Sequence, residues 1–159
     1  MYKRQVNPVE FDLNQVLRET LRTIAPRIYE RESLEFLCEV EPSIPTHLVG
    51  DPVRLKQILV NLIGNSAKFT NSGDVKLKLQ AKALDTEHAT LCFEVSDTGI
   101  GIAPERLASI FEPFTQADNS TVRQYQGTGL GLTIVKQLVE TMGGEITATS
   151  EVERGSTFT

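Results

Sequence analysis

The chain has 159 residues, enough to bury the core of one domain, and its composition of 40% hydrophobic and 23% charged residues is that of a globular protein, not a disordered one. Its 16 basic and 21 acidic residues give a net charge of −5, which excludes the basic footprint of a nucleic-acid-binding protein and leaves any anionic ligand to a local site. No run is apolar enough to span a bilayer or to serve as a signal peptide, so this piece is expected not to insert in a membrane. Cys38 and Cys92 lie in apolar, strand-like runs and are expected as buried free thiols of a reducing compartment, with a disulfide as the alternative.

In chain order, residues 1 to 10 read as a connector. Asp12 followed by Gln15 forms a capping box for a helix in which Leu13, Val16, Leu17, Leu21, Ile24 and Ile28 recur at helical spacing. Pro26 is expected to kink it. Leu34, Phe36, Cys38 and Val40 alternate with Glu35, Leu37 and Glu39, as in a strand. A second helix is predicted from about Asp51 to Phe69. Two alternating strands follow, one through Val75, Leu77, Leu79 and Ala81, the other through Leu91, Phe93 and Val95. Such alternation means one wet and one packed sheet face, so the helices must cover a single face.

Residues 98 to 128 are long, glycine-bearing and weakly patterned, with a short helix near Pro104 to Ile110; a loop of this length in a compact domain is usually functional. A third helix is predicted from about Leu130 to Met142 and is stopped by Gly143 and Gly144. A strand begins at Ile146 and Ala148, and a last one over Ser156 to Thr159, where the chain ends within the strand. The fold class expected is α+β: a two-layer sandwich of a mixed, mostly antiparallel sheet with three main helices on one face and a long loop over the site.

On the second helix, Leu55, Ile58, Leu59, Leu62 and Phe69 form one apolar face, and Val53, Val60, Gly64 and Ala67 make the opposite side unusually bland. Between them runs a polar stripe of Arg54, Gln57, Asn61, Asn65 and Lys68. This stripe is either a solvated edge or a groove wall. As a groove wall, its amide oxygens suit a hard cation and its ammonium suits phosphate. Asp97 continues the inward face of its strand, where an ionised carboxylate is costly unless paired. Its partner is a distant arginine or a ligand N–H such as the amine of adenine. Gly99 and Gly101, which follow it, would let a ligand approach the backbone. Gly127-Thr128-Gly129-Leu130-Gly131-Leu132 opens the third helix, where free N–H groups make a phosphate site. It is neither a Rossmann fingerprint, since no strand precedes it, nor a P-loop, since it lacks the Gly-Lys-Ser/Thr ending.

Taken in order, these elements resemble the catalytic domain of sensor histidine kinases, within the ATPase superfamily shared with gyrase, mismatch-repair ATPases and the ninety-kilodalton heat-shock chaperone. The resemblance rests on Asn61-Leu62-Ile63-Gly64-Asn65-Ser66-Ala67-Lys68-Phe69-Thr70, Asp97-Thr98-Gly99-Ile100-Gly101, Phe111-Glu112-Pro113-Phe114, the second glycine run at 127 to 132, and the closing Gly155-Ser156-Thr157-Phe158. It runs from about Phe11 to the end.

The resemblance implies that Asn65 holds Mg²⁺ with Asn61 beside it, that Lys68 approaches the phosphates, and that Asp97 binds the adenine amine with Thr157 near the ring. Phe69, Gly99, Gly101 and Ile102 would border the nucleotide. Gly127, Thr128, Gly129, Leu130, Gly131 and Leu132 would seat the triphosphate. Residues 103 to 126 would form a mobile lid hinged on Phe111 and Phe114, with Arg123 reaching phosphate. Gln124 and Gln126 stand where basic and glycine residues are frequent in the family.

Hydrolysing members carry a glutamate base where this chain has Asn61, which implies that ATP is held without rapid hydrolysis. Neither His47 nor His88 has the helical context of a phosphoacceptor, and both are expected at the surface. The expected function is therefore transfer of the γ-phosphoryl group of Mg-ATP to a histidine on a separate dimerisation hairpin, in two-component signalling. Residues 1–10 would connect to that hairpin and 11–159 would be the catalytic domain, its last strand truncated. The parent would be a membrane-anchored sensor with this domain in the cytoplasm, and a response-regulator receiver domain would act downstream. Alternatives are a non-catalytic nucleotide-binding or docking module and an ATPase of the gyrase or chaperone type.

Overall fold

A computed structural model of the chain describes residues 7–30, 32–113 and 130–159. Chain order is β1 (Val9–Asp12), α1 (Leu13–Tyr29), β2 (Leu34–Val40), β3 (His47–Gly50), α2 (Pro52–Phe69), β4 (Gly73–Leu84), β5 (Ala89–Asp97), α3 (Pro104–Leu107), α4 (Gly131–Thr141), β6 (Ala148–Glu151) and β7 (Gly155–Phe158). Five strands form one sheet in the order β2-β4-β5-β7-β6. Among the described residues, β2 runs parallel to its neighbour β4 and the other pairings of this sheet are antiparallel. The α+β class, the mixed sheet and the three main helices agree with the sequence pattern.

Alternation on β4 decides which face the helices cover. Val75, Leu77 and Leu79 are buried, while Lys76, Lys78 and Gln80 are not. Val95 of β5 lies across from Leu77 and is equally buried. Above this face sits α2, whose Leu59 and Ile63 are fully buried, and α2 also packs against α1 and α4. Removing each such side chain from water contributes about 1.5–3 kcal/mol, so α2 is anchored as the centre of the helical layer.

Helix α1 starts as its capping residue demands: Asp12 Oδ1 accepts from the amides of Asn14 and Gln15. The reciprocal half of the capping box is absent, because the Gln15 side-chain amide donates to Glu19 instead, at 3.1 Å. Pro26 lies within α1, which continues to Tyr29.

Three local expectations are corrected. Val9 and Glu10, read as connector, pair with Gly50 and Val49 in a separate two-stranded ribbon, β1–β3. The short helix after Ala103 ends at Leu107 and continues as turns through Phe111. Cys38, expected buried, is exposed: β2 is the sheet's edge strand, and its core-facing positions beyond Phe36 lie where cover runs out. Cys92 is half-buried, and both thiols are free.

Candidate functional site

The site is assembled at the C-terminal half of α2, and local chemistry explains its position. Asp51 caps the helix, accepting from the Arg54 amide at 3.1 Å and pairing with Arg54 Nε at 3.0 Å, and Pro52 supplies the first turn. At the other end the last carbonyls need donors. Thr70 Oγ1 donates to the Ser66 carbonyl at 2.8 Å, and the Ile100 amide donates to the Phe69 carbonyl at 3.2 Å. The loop after β5 is therefore docked on the end of α2, which sets Asp97 beside that helix.

Asp97 Oδ1 accepts from the Gly99 amide at 2.9 Å and from the Ser156 amide at 3.3 Å. Burial raises its pKa above the ordinary carboxylate value, and the Gly99 amide, the Ser66 hydroxyl and the Ser156 amide pull it back down. No salt bridge reaches Asp97 among the described residues, so the distant arginine is not found there. With both amides on Oδ1, Oδ2 is the atom suited to a ligand N–H.

Asn61 and Asn65 face the first residue of α4. A Cβ on Gly131 would sit 3.5 Å from Asn61 Oδ1 and 3.7 Å from Asn65 Nδ2, in ordinary van der Waals contact. Asn61 Nδ2 donates to the Gln57 carbonyl at 3.0 Å, which turns its oxygen towards α4. Lys68 stands over the Phe69 ring, 5.1 Å from the centroid. Partial burial lowers its pKa, and the Arg27 guanidinium lowers it further. At Asn61 and Asn65 the polar stripe faces α4, Lys68 is half-buried, and Gln57 is exposed.

The other expected site residues have the following surroundings. Gly99 and Gly101 make room for the protein's own backbone: a Cβ on Gly99 would meet the Phe69 carbonyl at 2.4 Å, and one on Gly101, where φ is +69°, would meet the Glu151 carbonyl at 2.1 Å. Ile102 is half-buried, its amide donating to Ser150 Oγ at 2.8 Å. Thr157 pairs with Ser96, so strand alternation puts it on the opposite face from Asp97. Ser156 is the residue that lies across from Asp97, and it is buried. Leu130 and Leu132 are half-buried at the start of α4, and Phe111 is half-buried against the core. Phe114, Arg123, Gln124, Gln126, Gly127, Thr128 and Gly129 lie outside the described residues.

His47 and His88 are both exposed, as expected. A separate apolar groove of about 410 Å³, lined by Leu21, Ile28, Tyr29 and Phe36 among others, contains none of these site residues. Ser66 and Ser156, which neighbour Asp97, were not singled out in the sequence; the glycine-serine pair that opens β7 was a usable signal for Ser156, whereas nothing distinguished Ser66.

Residues 50–159 match the family described as "Histidine kinase-, DNA gyrase B-, and HSP90-like ATPase". The chain is 42% identical over 156 residues to the sensor protein GacS of Pseudomonas syringae pv. syringae, covering 98% of this chain and 17% of that protein. It is 39% identical over 156 residues to hybrid signal transduction histidine kinase B of Dictyostelium discoideum, covering 98% of this chain and 8% of that protein. Among solved structures, full-length ShkA in complex with AMPPNP superposes with a TM-score of 0.80 at 36% identity, over 99% of this chain and 31% of that one. The chain thus spans less than a fifth of these two curated relatives.

Proposed function

Because the chain belongs to the histidine kinase-, DNA gyrase B-, and HSP90-like ATPase family, we propose that it binds Mg-ATP between α2, α4 and the loop after β5, and passes the γ-phosphoryl group to a histidine on a separate helical dimerisation hairpin. The observation that carries this reading is Asp97: a half-buried carboxylate with one oxygen held by two amides and no cation among its described neighbours. Such a group calls for a donor, and the exocyclic amine of adenine is one.

The metal fits the donor set. Asn61 and Asn65 offer neutral amide oxygens, which hold Mg²⁺ only jointly with phosphate oxygens and water, so the ion would arrive with the nucleotide. When bound it would neutralise charge on the transferring phosphoryl group. Asn61 and Asn65 orient the triphosphate against Gly131, and Lys68 adds a positive charge near it. Arg123 and the glycines at 127 and 129 are assigned to phosphate from the sequence alone.

Asn61 has no basic lone pair with which to take a proton from water, so hydrolysis lacks its base. An imidazole nitrogen can instead attack the γ-phosphorus in line with the bridging oxygen. The bond from phosphorus to that oxygen breaks, ADP leaves, and the imidazole releases its proton to solvent. Phosphoryl transfer asks mainly for positioning and charge neutralisation, which these residues supply. The names of the relatives, a sensor protein and a hybrid signal transduction histidine kinase, support two-component signalling, with a receiver domain of a response regulator as the next acceptor. A cytoplasmic position beneath a membrane-anchored sensor belongs to the same reading.

The test is incubation with γ-labelled ATP, with and without a separately supplied hairpin carrying the acceptor histidine. Acid-labile label is expected on the hairpin and not on this chain. Asn65→Ala should abolish transfer, and Gln57→Ala on the exposed side should leave it within a factor of about two. Label on this chain that vanishes with His47 or His88 would overturn the separate acceptor. Steady phosphate release without the hairpin would move the protein to the ATPase class, and binding with neither reaction would make it a docking module.

A further inference from the structure

A glycine inside a helix costs stability relative to alanine, and Gly64 lies buried inside α2. Its missing side chain leaves room for Arg27: a Cβ on Gly64 would stand 3.0 Å from Nη1 of that guanidinium. Arg27 belongs to the last turn of α1 and is exposed, and its head reaches across to α2. Residues three and four apart are neighbours on a helix surface. Gly64 is therefore flanked by Asn61, three residues before it, and by Lys68, four after it, both assigned above to the triphosphate. The guanidinium thus stands within a side chain's reach of both. Arg27 and Lys68 are like charges, and Arg27 adds to the lowering of the Lys68 pKa. Among the described residues no carboxylate pairs with Arg27, not even Glu30, one turn further along the chain.

We propose that Arg27 is a further phosphate-binding residue, its guanidinium reaching over Gly64 to the γ-phosphoryl oxygens beside Lys68; this rests on the ATP site assigned above. A planar guanidinium can donate to two phosphate oxygens at once, whereas the Lys68 ammonium is a point charge. An anion placed between the two cations converts their mutual repulsion into attraction for the ligand. The same donors would stabilise the charge spread over the equatorial oxygens as the phosphoryl group is transferred. ADP lacks this group, so Arg27 should distinguish nucleotides by their third phosphate and not by their base.

The test is calorimetric titration of the chain, in the presence of Mg²⁺, with ADP and with AMPPNP, an analogue of ATP that keeps the third phosphoryl group. Arg27→Ala should bind AMPPNP about tenfold more weakly than wild type does, as expected for a lost hydrogen bond to a charged group, and ADP within a factor of about two. Arg27→Glu should weaken AMPPNP further, again with the smaller effect on ADP. The side chain is exposed, so neither substitution disturbs the core. Equal losses for both nucleotides would mean that Arg27 acts through the fold or the general surface charge, and an unchanged AMPPNP affinity would mean that it is merely solvated; either overturns the proposal. Asn65→Ala separates this assignment from the site on which it rests. If Asn65→Ala weakens AMPPNP while Arg27→Ala does not, the ATP site stands and only the role of Arg27 falls. A wild-type chain that binds neither nucleotide would take both readings down together.

Discussion

Asp97 carries a conflict between stability and function that a single substitution can expose. Burial raises its pKa in the folded chain, so the folded state holds that proton more tightly than the unfolded one. A raised carboxylate pKa contributes stability that is fully present below the unfolded value and is lost as pH rises through the folded value; at neutral pH the ionised group is a cost. Asp97→Asn removes that charge and keeps a carbonyl oxygen for the Gly99 and Ser156 amides. The free protein should therefore melt no lower than wild type at neutral pH, while ADP binds about 1.5–3 kcal/mol more weakly, the usual worth of a hydrogen bond to a charged group. Wild-type affinity should fall on acidification from a pH above the ordinary carboxylate range, because binding needs the ionised form. A lower melting point with unchanged affinity would make Asp97 a structural residue. Asp97, Asn61 and Asn65 were legible in the sequence because polar groups at inward or stripe positions break an apolar pattern. Ser66 was not, since a serine on a bland helix side breaks nothing, and its significance comes only from Asp97, which is 31 residues away in the sequence.

Among the elements, the contact between the C-terminus of α2 and the loop after β5 decides whether the site exists. That loop is pinned by the Ile100 amide on the Phe69 carbonyl, the Ile102 amide on Ser150, and the Glu153 amide on the Ile100 carbonyl at 2.9 Å. Gly101 sits at its tightest point, with φ at +69° and the Glu151 carbonyl where a side chain would begin. Gly101→Ala must accept both an unfavourable backbone conformation and a displaced strand, together about 2–4 kcal/mol. Thermal unfolding should show it as a fall of at least about 4 °C for a chain of this size. An unchanged melting point with lost nucleotide binding would return Gly101 to the ligand and reverse its assignment to packing. Periodicity located α2 and α4 almost to the residue because each repeats its apolar positions over three or more turns. It failed for β1 and β3, which are four residues long and lie in a ribbon apart from the main sheet, too short for alternation to register. It also misplaced Cys38: the position of β2 at the sheet's edge is a tertiary fact.

At the scale of the whole molecule, the site joins parts far apart in the chain: amides from α2, a glycine from α4, and a carboxylate from β5 held by β7. A ligand that touches all of them binds the folded state and has nothing comparable to bind in the unfolded one, so its affinity appears directly as stability. At about a hundredfold excess over its dissociation constant, a nucleotide should add about 2.7 kcal/mol, which for a domain of this size raises the melting point by about 5–11 °C. Mg-ATP should produce this shift and GTP much less of it, since guanine presents an oxygen to Asp97. A chelator should shrink the ATP shift without lowering the melting point of the free protein, because neutral amides from Asn61 and Asn65 hold the ion only together with phosphate. In Asp97→Asn the shift should shrink even with Mg²⁺ present. Equal shifts for ATP and GTP would mean that the triphosphate alone is recognised and that the carboxylate reads no base. A chelator effect on the free protein would instead point to a resident structural ion, contrary to the assignment of the metal to the bound nucleotide.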